Sequence, residues 1–351
     1  MRESQVPEGS RSVAESADTS GPERGSFGTV LSARAVHSLV ILAIAGVVLY
    51  AAATLASDYR AVLSALMRFP LKTLLLVLVL VVIGWLLRGW RFYYYLRQTG
   101  REVPLGYSES VFLASFALTG TPGKMGEAVK GVFLKEDYGI SITAVVGILV
   151  VERLMDLWGV LLLGSLSFLL FSDWIGAFLV CAVVVIGGGI FLCMERAYRP
   201  VLERIARIRF LSWIAERILG VLLTGRELMT PRIFLVGLIV SAVAWGMESF
   251  SLYLILDGLH LPSTLLEANF VYCFSTIIGA LSMLPGGVGG TEAGMIALLA
   301  VLGISYSSGL PAVILIRVCT LWLAILVGIA FTMIMLGRSR RRVERLHGGA
   351  H

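Results

Sequence analysis

The sequence predicts an all-α integral membrane protein of about six full spans plus two broken, re-entrant helical hairpins arranged as an inverted repeat. Three observations carry that prediction. First, the chain of 351 residues is 57% hydrophobic and 15% charged, with a mean hydropathy of +0.87; a soluble chain carries about 25% charged residues. Second, six apolar runs are long enough to cross the hydrocarbon, which takes about 20 residues each. Third, a polar, breakable segment occurs twice. Thr121-Pro122-Gly123-Lys124-Met125-Gly126-Glu127-Ala128 returns as Leu284-Pro285-Gly286-Gly287-Val288-Gly289-Gly290-Thr291-Glu292-Ala293. Broken helices in corresponding places of two halves mark the binding site of a transporter, because irregular backbone is tolerated at membrane depth only inside protein or along a cavity.

Residues 1–35 are rich in Ser, Gly, Glu and Arg, which predicts a disordered cytoplasmic tail. The apolar run that follows is too long for a signal peptide. The spans are expected at 36–57, 70–96, 140–171, 174–194, 231–256 and 311–336. The segments 108–137 and 264–303 hold the Pro-Gly breaks and read as hairpins that each make an even number of passes; whether 264–284 crosses fully stays open at this point.

Arginine placement sets the orientation. Arg338, Arg340, Arg341, Arg342 and Arg345 crowd the tail at 337–351, eight arginines lie in 196–232, and Arg88, Arg91, Arg97 and Arg101 lie along and after the end of the second span. All three regions fall on one side of a six-span protein, so both termini are expected in the cytoplasm. Half one is then 36–171 and half two 174–336. Three spans per half is an odd number, so the second half enters the membrane upside down, the geometry of alternating access. In 196–230, Val201, Ile205, Ile208, Ile214, Ile218 and Leu222 recur at helical spacing among arginines. That predicts an amphipathic cytoplasmic interfacial helix, with a plain connector as the equal alternative. Cys181, Cys193, Cys273 and Cys319 lie in apolar stretches and read as small core residues.

The candidate binding residues follow from the breaks. Thr121-Pro122-Gly123-Lys124 has the grammar of a helix start, whose free N–H groups and dipole suit an anion, and Lys124 adds a full charge. Gly286, Gly287, Gly289 and Gly290 with Thr291 offer the same from the other side. Glu127 and Glu292 sit in the first turns after the breaks, and Arg153 and Arg317 follow them by 26 and 25 residues. Glu152, Arg153 and Asp156 stand about 18 Å into their helix, where a charge costs about 2.5–3.5 kcal/mol. They are expected to face a cavity or one another, as an anion-coordinating arginine held by carboxylates, a proton-coupling site or a structural ion-pair cluster. Arg88 and Arg91 share a face and either line an access path or snorkel to the interface. Glu248, beside Trp245, is a weaker candidate. Trp85, Trp90 and Tyr93–Tyr95 read as interfacial anchors. No nucleophile–base pair, metal cluster, cofactor motif or P-loop is apparent in the sequence.

The run Thr121-Pro-Gly-Lys-Met-Gly-Glu127, then Glu152-Arg153-x-x-Asp156, then Leu284-Pro-Gly-Gly-Val-Gly-Gly-Thr-Glu292 resembles the membrane domain of lysylphosphatidylglycerol synthases, over about 36–336. The resemblance implies a stand-alone, flippase-like protein of a prokaryotic plasma membrane. It implies lipid translocation without the aminoacyltransferase domain, and leaves the cargo open among lipids with anionic or zwitterionic headgroups. A coupling ion and a lipid-modifying enzyme are the further partners considered; nucleic acid is not, and the oligomeric state is open. A small-solute or ion-coupled transporter, a membrane-embedded lipid-modifying enzyme and a non-transporting partner of such an enzyme are the rival readings.

Overall fold

The structure is a computed structural model that describes residues 59–119, 129–167, 175–208, 211–282 and 284–348. The expected span 36–57 and the first Pro-Gly break, from Thr121 to Glu127, lie outside the described residues. Every described element is helical. In chain order these are α1 (Tyr59–Arg68), α2 (Leu71–Gln98), α3 (Leu105–Ser115, prolonged by a 3-10 turn Phe116–Leu118), α4 (Val129–Tyr138), α5 (Ile142–Leu166), α6 (Ile175–Cys193), α7 (Glu195–Ala206), α8 (Ser212–Glu227), α9 (Pro231–Gly258), α10 (Leu265–Leu281), α11 (Gly290–Val301), α12 (Tyr306–Arg317) and α13 (Leu323–Gly348); a π-helical segment, Val318–Trp322, joins the last two.

By length and apolarity, three helical stretches can cross a membrane: Leu71–Gln98, Pro231–Gly258 and Tyr306–Gly337. They become four if α6 and α7, bent by 70°, count as one broken span. That is fewer than the six expected. The span 36–57 is not described, and α5 holds three charges within five positions, so apolarity alone would not place it in hydrocarbon. Helix α10, at 17 residues, is about 26 Å long, short of the roughly 30 Å of a hydrocarbon core. The expected interfacial helix is two helices. α7 turns away from α6, while α8 packs back onto α5 and α6 and buries Ala215, Thr224 and Gly225.

Two parts of the chain repeat the same succession. Helices α2 and α9 each have 28 residues. Each closes on a left-handed residue, Gly100 (φ 74) and His260 (φ 56). Each is sealed by the same bond, Arg101 N–H to Leu96 O at 3.0 Å and Leu261 N–H to Leu256 O at 2.9 Å, a Schellman closure. α3 and α10 then begin at Leu105 and Leu265. Further on, Gly139 (φ 66) and Gly303 (φ 80) end α4 and α11. Ser141 and Ser305 then cap α5 and α12, accepting from the N–H of Ala144 and Ser308. The first correspondence is an offset of 160 residues, the second of 164.

Helix α9 sits at the centre, packed on α2, α5, α10 and α12. Its contacts with α2 run in opposite senses along the two helices. Tyr95 lies against Gly237, Arg91 bonds Ser241, Gly84 lies against the Ala244 carbonyl, and Phe69 meets Gly258 near the far end. The helices are therefore antiparallel. At the middle of the crossing, residues 160 apart meet each other: Gly84 with Ala244 and Arg88 with Glu248. Leu75, Leu76 and Val79 of α2, Leu235, Ile239 and Val243 of α9, and Leu179, Val180, Val183 and Val184 of α6 are exposed. Apolar faces of this extent suit lipid. Trp85 and Tyr95, expected at the interface, are 3% and 0% exposed and belong to the core; only Trp90 of that set is exposed. Of the cysteines expected in the core, Cys273 and Cys319 are buried and Cys181 is half-buried, but Cys193, at the end of α6, is exposed.

Candidate functional site

The charges expected inside the bundle are brought together on α2, α4, α5 and α9. Glu152 and Asp156, one turn apart on α5, both face inward. Lys130, on α4, places Nζ 2.9 Å from Glu152 Oε2. The ammonium also lies 4.7 Å from the Phe92 ring and 4.4 Å from that of Phe112. Arg91, fully buried on α2, puts Nη1 2.9 Å from Asp156 Oδ1 and bonds Ser241; its Nη2 reaches the Glu152 carbonyl at 3.5 Å. Ser241 in turn donates to Asp156 at 3.2 Å. Arg153 Nη2 reaches Asp156 Oδ2 at 3.1 Å, with its side chain 31% exposed. Asp156 is thus shared by a sealed guanidinium and one that reaches the surface. Charges with no water around them are tolerable only in such pairs.

A second cluster lies on the α2–α9 crossing. Arg88 Nη1 is 2.7 Å from Glu248 Oε1, the guanidinium stacks over Trp245 at 4.4 Å, and the Tyr272 hydroxyl of α10 donates to Glu248. Arg88 Nε and Nη2 and Glu152 Oε1 are buried without a hydrogen-bond partner among the described residues. Neither Arg88 nor Arg91 snorkels.

The second hairpin forms the third part. Gly286, Gly287 and Gly289 have φ of 62°, 66° and 89°, a left-handed run that glycine alone adopts without strain. A Cβ on Gly279 would overlap the Thr291 hydroxyl, so α10 and α11 approach at backbone distance. Glu292 accepts from the Gly289 N–H at 2.7 Å. Arg317, at the mouth of the π segment, holds Glu292 at 2.7 Å and the Gly286 carbonyl at 2.9 Å. The expected relation between Arg317 and Glu292 is therefore a direct ion pair. The matching relation between Arg153 and Glu127 lies outside the described residues, as do Thr121, Pro122, Gly123, Lys124 and Gly126. Pro285 opens the turn, and Gly290 and Thr291 start α11.

Sequence reading missed Lys130, Ser241 and Tyr272. The signal for Lys130 was present, a single cation in the apolar run from Ala128 to Leu134. Ser241 and Tyr272 carry no signal along the chain, because only packing brings them to a charge. Among the described residues, no group of three or more His, Cys, Asp or Glu could hold a metal ion.

Comparison with known proteins shows the family of the chain. A UPF0104 membrane protein of Pyrococcus horikoshii is 25% identical over 292 residues, 75% of this chain and 87% of its own length. One from Methanothermobacter thermautotrophicus is 26% identical over 232 residues, covering 58% and 67% of the two chains. One from Methanocaldococcus jannaschii is 25% identical over 218 residues, covering 59% and 88%. Residues 38–328 match the family described as the lysylphosphatidylglycerol synthase TM region. A helical protein whose spanning helices bury paired charges, and whose sequence matches that family over most of its length, is a membrane protein belonging to it.

Proposed function

We propose that this protein is a transporter that moves a lipid with an anionic or zwitterionic headgroup between leaflets. It would be built from about six spans and two re-entrant hairpins in an inverted repeat, in a prokaryotic plasma membrane with both termini cytoplasmic. The observation that carries the reading is the antiparallel α2–α9 crossing, where equivalent residues meet and the charges gather. An antiparallel pair with equivalent residues at its midpoint defines a two-fold axis lying across the helices, hence in the membrane plane. Such an axis turns one hairpin toward each side, and rocking about it exchanges access. Ionisable groups at that depth are costly and are kept for transport pathways.

In this mechanism the headgroup lies between the hairpins near the midplane. Arg153 supplies the cation that reaches outward. The N–H groups of the second hairpin, fixed by Arg317 and Glu292, receive the phosphate oxygens, and residues 121–127 do the same from the first hairpin. The acyl chains remain in lipid, along the apolar outer faces of α2, α6 and α9. The chain transports and does not catalyse.

Leaflet exchange in proteoliposomes tests this. With headgroup-labelled lipids and an impermeant quencher, the wild type exchanges selectively by headgroup. Arg153→Gln, at equal membrane level, exchanges at least about tenfold more slowly, the loss of one interaction of about 1.4 kcal/mol. Unchanged exchange in the variant removes Arg153 from the site. Exchange of a soluble solute with no lipid exchange replaces the lipid reading with the solute one.

A further inference from the structure

Helix α3 carries an acid that the charge network does not use. Glu109 stands on its second turn against Gly89 of α2, where a Cβ would overlap its carboxylate. Its Oε2 is buried with no hydrogen-bond partner among the described residues. The offset of 160 residues sets Glu109 and Gly89 in correspondence with Asn269 and Ser249. In the second repeat this niche is neutral and fully bonded. Asn269 Oδ1 accepts from Ser249 at 3.0 Å, and Nδ2 donates to the Leu163 carbonyl at 2.8 Å and to Ser167 at 2.9 Å. The first repeat fills the same niche with a carboxyl group and a glycine.

A carboxylate oxygen shut from water, with nothing donating to it, is disfavoured in its charged form, and a proton removes the penalty. The stretch Leu105–Leu118 is a short apolar helix, and Glu109 is half-buried on it, with Oε2 the shielded oxygen. Helices α2, α4 and α13 pack on α3. On α2, Arg88 is held by Glu248 and Arg91 by Asp156. On α4, Lys130 is held by Glu152, while Asp137 receives the Tyr107 hydroxyl at 2.5 Å. The α13 stretch 323–336 has no ionisable side chain.

We infer that Glu109 is a proton-binding site of the first hairpin and that the ion coupled to transport is the proton. The carboxyl holds its proton while α3 keeps Oε2 pressed against Gly89, and releases it when motion of α3 against α2 admits water to that oxygen. The second repeat, with an amide in that place, carries no proton, so coupling acts on one gate only. The coupling half of this inference rests on the transport proposed above; the proton site does not.

Two measurements separate these. Infrared difference spectra of the purified protein in nanodiscs are expected to show a protonated-carboxyl band that disappears as pH is raised. The band is absent from Glu109→Gln. It is also absent from the double variant Gly89→Ser/Glu109→Asn, which copies the neutral pair of the second repeat and guards against a folding defect. A titrating band that persists in both variants overturns the proton site. In proteoliposomes, a pH gradient changes the wild-type exchange rate, whereas both variants exchange at a rate independent of the gradient. A gradient response retained in the variants overturns the coupling. A band that titrates in a wild type that exchanges no lipid sustains the proton site and removes the transport reading.

Discussion

Lys130 shows how a single cation in an apolar run becomes central once packed. Its ammonium is buried, paired to Glu152 and flanked by Phe92 and Phe112. Removing one member of a buried pair strands the other charge at about 3–5 kcal/mol, whereas replacing both by apolar groups of similar volume is close to neutral. Lys130→Met alone is therefore expected to lower the unfolding temperature in detergent sharply. Lys130→Met/Glu152→Leu is expected to recover most of the loss. Additive effects of the two substitutions would show that the charges do not interact. For Glu152, Arg153 and Asp156 the sequence supported the statement that they face one another or a cavity, from the cost of charge at that depth. It could not show that Asp156 serves both Arg91 and Arg153, because Arg91 lies some sixty residues away on another helix.

At the scale of elements, glycine decides how closely helices approach. A Cβ on Gly328 of α13 would collide with the backbone of Phe116 and Ala117 in the 3-10 turn after α3, whereas one on Gly187 of α6 meets nothing within 4 Å. Gly328→Ala should therefore cost about 1–3 kcal/mol by overpacking, read as earlier thermal unfolding. Gly187→Ala should stay within about 0.5 kcal/mol of wild type. Equal effects at the two positions would contradict the packing of α13 on that turn. Helix positions were largely legible: the expected 70–96 and 231–256 became Leu71–Gln98 and Pro231–Gly258. Facing was less so. Aromatic residues near a helix end read as interfacial, yet Trp85 and Tyr95 are buried, Trp85 edge-on to Phe116 and Tyr95 against Gly237 of α9. Only the partner elements determine which face is buried.

At the scale of the whole molecule, the inverted repeat proposed above makes a prediction that neither half makes alone. Arg88 and Glu248 occupy equivalent positions and touch each other. Exchanging them returns the same pair reflected through the axis. Arg88→Glu places two carboxylates face to face and is expected to be poorly folded or inactive. Glu248→Arg is expected to fail in the same way. The double exchange Arg88→Glu/Glu248→Arg should restore folding in size-exclusion profiles and part of the exchange activity. A double variant no better than either single one would show that the contact is not on an axis.

By itself the sequence determined that the chain is a helical membrane protein, that a Pro-Gly break occurs twice, that charge lies deep within its helices, and which family it resembles. These are properties of composition and local pattern, and each is set by a few neighbouring residues and the cost of moving them from water to lipid. The matching caps at Gly100 and His260, and the Gly-Ile-Ser triplets at 139–141 and 303–305, were present in the sequence. They gained meaning only when both were found to close corresponding helices. Tertiary structure alone decided the charge pairs, the antiparallel α2–α9 crossing, and the contrast between Glu109 and Asn269. Those depend on which side chains meet across separate helices, and that is settled by packing, where close approach at small residues and the penalty for an unpaired charge select one arrangement.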